Sequence, residues 1–223
     1  SRKVWIVVFL LALLLSAALP AGAMESLVKK GTWRYKMTVT VETPEGIKTG
    51  SAVRQLSNSA SRIKLNLPEG TNPVELDAGE AVVVDLGKRG VLFALLSGYK
   101  SVGHAKNIVS SAFPFSGGKE FGAAIEYYST LKDAKATLDL QDYPVLVMFK
   151  APADPKSVTP VLEMQAPDRH GDPYILKADH FEELFGKGVK LKDITIEMTD
   201  EPVTWGVVDK YLPATYEEVM VKG

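Results

Sequence analysis

"TWRYKMTVTVETPEGIKTGSAVRQ" (residues 32–55) reads as two β-strands and the turn that joins them. Trp33, Tyr35, Met37, Val39 and Val41 alternate with Thr32, Arg34, Lys36, Thr38 and Thr40. A period of two gives a strand one apolar and one wet face, the mark of a half-buried sheet. Thr43-Pro44-Glu45-Gly46 supplies the turn, since Pro presets φ and Gly permits a positive one. Ile47, Thr49, Ser51 and Val53 then return antiparallel.

The same reading extends outward from this hairpin. "RIKLNL" (62–67) alternates again and is expected to be a third strand. "EAVVVDLGKRGVLFALL" (80–96) is a second hairpin turning at Gly87-Lys88-Arg89-Gly90; its nearly continuous apolar strands call for cover on both faces. Residues 101–118 are rich in small side chains and end in Phe-Pro-Phe and Gly-Gly breaks. Phe121, Ile125, Tyr128 and Leu131 follow helical spacing, which predicts a helix over about 119–134. "YPVLVMFKA" (143–151) is a strand and the Pro-rich stretch after it a loop. Asp179 with Glu182 predicts a capped short helix closed by Gly186, and "KLKDITIEMTDEPV" (190–203) a last strand stopped by Pro202. The expected fold class is α+β, mainly antiparallel β, with one N-terminal transmembrane or signal helix. Residues 25–100 form a β lobe and 101–223 an α+β lobe, packed together as one exported unit.

Between Lys3 and Glu25 lie 21 residues without a charge. As a helix they extend about 31 Å, the thickness of a bilayer's hydrocarbon core. Arg2 and Lys3 place the N-terminus in the cytoplasm and the remainder outside it. Ala21-Gly22-Ala23 after Pro20 has the small-x-small form of a signal-peptidase site, so residues 1–24 are either a retained anchor or a cleaved signal. If retained, the small side chains of Ser16, Ala17, Ala18, Ala21 and Gly22 let a neighbouring helix approach closely. Trp33 and Tyr35 would then lie close enough to the headgroups to join a partner contact, although core packing suits their face of the strand better.

The 223 residues carry a formal net charge of −1 and no long basic run, which argues against a nucleic-acid partner. There is no cysteine, so disulfides, thiolate catalysis, thiolate metal sites and lipid attachment at a cysteine are all excluded. Ser97-Gly98-Tyr99-Lys100 and Lys48-Thr49-Gly50 imitate S-x-x-K and K-T-G of serine β-lactamases. Their order along the chain is reversed, however, and Ser129 to Lys132 repeats the first pattern by chance. Asp168, His170, Asp172 and His180 form a conceivable N/O metal set, but Gly171 and Pro173 make this a polar loop by preference. No G-x-S-x-G elbow and no glycine-rich phosphate loop is present. No cofactor and no catalytic residue is therefore expected.

"WRYKMTVTVETPEGIKTGSAV", "GEAVVVDLGKRGVLFALLSG", "DYPVLVMFKAPADPKSV" and "FGKGVKLKDITIEMTDEPVTWGV" resemble a family of uncharacterised proteobacterial envelope proteins. The resemblance spans most of residues 33–208 and implies bacterial origin and export, but no catalytic residue. The expectation is a non-enzymatic accessory subunit of the bacterial inner membrane. It would be single-pass with its N-terminus in the cytoplasm, hold the bilayer through residues 4–24, and dock a periplasmic domain onto an integral-membrane complex. The alternative is a soluble periplasmic binding module or hydrolase released after Ala23.

Overall fold

The computed structural model describes residues 27–62, 73–169, 172–213 and 221–222. The opening hairpin is its largest feature: β1 (Val28–Thr43) and β2 (Gly46–Ser61) pair antiparallel along all 16 residues of each strand. Trp33, Tyr35, Met37, Val39 and Val41 are all buried, as the alternation requires. Opposite them on the same face stand Leu56, Arg54, Ala52, Gly50 and Lys48. Ile47, Thr49, Ser51 and Val53 therefore point to the outer face, and Ile47 at the tip is exposed. The apolar period of β1 does not continue into β2, because Arg54 occupies a core position.

β3 (Glu75–Ala78), β6 (Lys135–Thr137) and β11 (Lys190–Met198) complete a five-stranded sheet in the order β3-β2-β1-β11-β6. A second sheet holds β4 (Val82–Asp85), β5 (Val91–Gly98), β7 (Pro144–Phe149) and β8 (Val158–Pro160) in sequential order. A small hairpin, β9 (Leu162–Gln165) with β10 (Ile175–Asp179), stands apart. Every pairing is antiparallel. Both large sheets take strands from either side of residue 100, so the boundary expected there does not separate them.

Burial on both faces of the second hairpin is as its composition demands. Val82, Val84, Leu92 and Ala94 join Tyr35, Met37 and Val39 in the main core. Val83, Phe93 and Leu95 point the other way, under Val208, Leu212 and Val221 from the C-terminal segment. The sheets approach closely at Gly50, where a Cβ would lie 1.9 Å from the carbonyl oxygen of Val83. That contact, rather than turn chemistry, is what requires the glycine.

Three α-helices among the described residues close the core: α1 (His104–Ala112), α2 (Ala123–Thr130) and α3 (Phe181–Phe185). The helix expected over 119–134 is cut at both ends. Gly122 adopts φ +74 with Lys29 packed where a Cβ would be, and Asp133 at φ 54 turns the chain into β6. α3 forms where the capping signal placed it, and Gly186 closes it at φ 98. The expected Asp179–Glu182 box is not made: His180 is the N-cap with no side-chain cap bond, Asp179 Oδ1 accepts from Phe181 N in a local turn, and Glu182 accepts from Gly188 N. Beyond Arg62, the expected strand 62–67 lies outside the described residues.

After β11 the chain crosses the outer face of the five-stranded sheet. Thr199 N donates to the Arg34 carbonyl, Lys36 pairs with Glu201, and Thr204 exchanges two bonds with the backbone of Val53. The fully buried Glu80 then accepts from Gly206 N at 3.1 Å and Val207 N at 2.8 Å. The segment is thus strapped at three levels, which is why outward-pointing Val53 is only 3% exposed.

Candidate functional site

The residues with most chemical character converge where α1 meets the end of β5. Lys100, Ser101, His104, Asn107, Ile108, Ser111, Gln141 and Asp142 line a cleft of about 220 Å³. Its floor is set by the turn before α1, in which Gly98 N donates to Ser101 O and Gly103 N to Ser101 Oγ. Gly98 lies flat against the imidazole of His104, whose Cδ2 is 2.5 Å from where a Cβ would sit. His104 Nε2 is 2.9 Å from the Asp142 carbonyl, while Nδ1 is buried without a partner. Burial is the largest cause that pushes the imidazole down to about 4; the nearby Arg54 charge adds to it, and the bond to Asp142 opposes it. His104 is therefore neutral at ordinary pH, and among the described residues lining the cleft the charged ones are Lys100 and Asp142, 3.7 Å apart.

Behind the cleft lies a buried polar cluster. Tyr35 Oη donates to the Ala105 carbonyl at 2.8 Å and accepts from Arg54 Nη1 at 3.2 Å. Arg54 Nε donates to the Glu80 carbonyl, and Nη2 has no partner. Burial raises the Tyr35 phenol, with the Arg54 charge opposing. Arg54 thus ties β1 and β2 to the backbone of Glu80 through neutral acceptors; among the described residues no carboxylate lies within ion-pair distance of it.

The residues singled out in the sequence fall elsewhere. Trp33 is 6% exposed and packs on Tyr128 with ring centroids 5.4 Å apart, and Tyr35 is 0% exposed. Neither can offer a surface to a partner, because their face of β1 is the core face. Ser16, Ala17, Ala18, Ala21 and Gly22 lie outside the described residues, as does His170. His180 is held by Glu183 at 2.9 Å and Glu163 at 3.3 Å, which raise its pKa in that order. Among the described residues no group of three or more His, Asp or Glu side chains could hold a metal ion. Lys100 pairs with Asp142 and Lys132 with Asp200, so the lysine of each S-x-x-K look-alike is engaged in an ion pair. No described helix is long and apolar enough to cross a membrane. Neither the His104 cleft nor the Arg54 cluster was foreseen. Arg54 had one signal, a charge on the inward register opposite Tyr35, whereas His104 had none beyond its being a histidine.

Comparison with family models, with curated proteins and with solved structures finds no match to this chain.

Proposed function

We propose that the chain is a non-enzymatic accessory subunit of the bacterial inner membrane. Residues 4–24 anchor it with the N-terminus in the cytoplasm, and the β-rich domain stands in the periplasm, docked onto an integral-membrane protein complex. One observation carries the reading: β1 begins at Val28, four residues past the end of the uncharged segment, and runs unbroken as the central strand of its sheet. A membrane helix at 4–24 would pass into the domain's central strand with almost no linker. The domain is then held in one orientation, with a hairpin about 50 Å long reaching away from the bilayer. A subunit that must present one face to a neighbour needs such a junction, whereas a secreted domain gains nothing from it.

Docking uses the small-residue end of the anchor, Ser16, Ala17, Ala18, Ala21 and Gly22, where a second helix can approach closely. Trp33 and Tyr35 drop out of that interface because they are buried. The test is recovery of the native protein in mild detergent, with mass spectrometry of what accompanies it. The Ala18→Leu and Gly22→Leu double variant raises hydrophobicity, so it still inserts, and it loses the accompanying subunits. Undiminished recovery of the complex would move the interface to the outer domain.

The second reading is a soluble periplasmic binding module or hydrolase released after Ala23. The observation in its favour is the polar cleft at Lys100, His104 and Asp142.

A further inference from the structure

We propose that the base of the β1–β2 hairpin, with the segment 115–121 beside it, is a headgroup-facing surface that contacts anionic phospholipid through Lys30, Arg62 and Lys119. The inference rests on the anchored reading. Its first support is position. Val28 pairs with Ser61, and Arg62 N donates to the Leu27 carbonyl at 2.9 Å, so both strands of the hairpin meet at one level at its base. The four peptide steps from Met24 to Val28 span at most about 14 Å. This end of the domain therefore lies within headgroup reach of a membrane segment ending at Met24, and the Thr43–Gly46 turn lies at the opposite end.

The second support is chemistry. Lys30, Arg62 and Lys119 are exposed, and among the described residues none has a carboxylate within ion-pair distance. Lys29, next in sequence, is already matched by Glu126 of α2. Glu120 is the remaining carboxylate of 115–121, so among the described residues this surface keeps a cationic excess. Basic side chains at this depth are attracted by an anionic leaflet.

The third support is the aromatic setting. The Arg62 guanidinium lies 4.7 Å over the Phe121 ring, and half-buried Phe115 packs on Tyr127 at 5.3 Å. Aromatic rings beside basic groups suit the boundary between headgroups and acyl chains. Phe115 and Phe121 thus take the interfacial place that the sequence suggested for Trp33 and Tyr35.

The experiment uses the full chain in vesicles of phosphatidylcholine, alone or mixed with phosphatidylglycerol, and follows backbone hydrogen exchange at residues 28–31, 58–62 and 115–122. With phosphatidylglycerol the exchange of these segments slows by about fivefold or more, and added salt reverses the effect. The Lys30→Gln, Arg62→Gln and Lys119→Gln triple variant loses the lipid dependence while keeping its melting temperature. Equal exchange in both lipids, with the protein resisting alkaline extraction, overturns the headgroup contact and leaves the anchor standing. Release of the protein by alkaline extraction overturns the anchored reading, and this inference with it.

Discussion

Gly50→Ala is the sharpest probe of how the two sheets are joined. The added methyl would sit 1.9 Å from the Val83 carbonyl oxygen, 2.7 Å from its carbon and 3.1 Å from Val84 Cγ2. The first two are backbone atoms of β4, so no side-chain rotation relieves the clash. β4 must withdraw by more than about 1 Å, which loosens Val82 and Val84 against Met37 and Val39 on the facing sheet. Overpacking of this kind costs about 3 kcal/mol, the upper part of the usual range. For a domain of this size that lowers the melting temperature by about 6–12 °C. Ser51→Ala, one residue on and facing solvent, should stay within about 0.5 kcal/mol of the parent. Thermal unfolding of the purified chain reads both. A Gly50→Ala protein melting together with Ser51→Ala would refute the close approach of β2 and β4.

Three further outcomes follow from particular contacts. Val39→Lys puts a charge at a fully buried position and costs several kcal/mol, whereas Thr38→Lys on the outer face changes stability by no more than about 0.5 kcal/mol; equal melting temperatures would mean the register of β1 is wrong. Tyr35→Phe removes the acceptor of Arg54 Nη1 inside the core, and denaturant titration should show a loss of about 1–3 kcal/mol. His104, held near 4 when folded, favours the folded state in its neutral form. That contribution is present above the ordinary histidine value and is lost as pH falls from about 6.5 toward about 4. Stability measured across this window should decline less steeply in His104→Gln, and parallel curves would remove His104 as the cause.

The hairpin that opens the domain was legible because both requirements of a strand, period and turn, were written in adjacent residues. The burial of Val83 and Phe93 on the far side of the second sheet was equally legible from an apolar run with no polar face. What escaped was set by tertiary contact. α1 carries Ala105, Ile108, Val109 and Ala112 at helical spacing, but its serines and flanking glycines blur that period. The α2 boundaries depend on Lys29 lying over Gly122, a contact between residues far apart in sequence. β3 and β6 are edge strands of three or four residues, too short for a period to declare itself. The cleft is harder still, since its residues come from 100–111 and 141–142 and only the fold brings them together.

N-terminal sequencing of the native protein, taken from the membrane fraction and from the soluble fraction of the envelope, tests the anchored reading most directly. The expected result is a membrane-bound protein whose N-terminus still precedes the apolar segment at Val4. A soluble protein beginning at Met24 or Glu25 would contradict it.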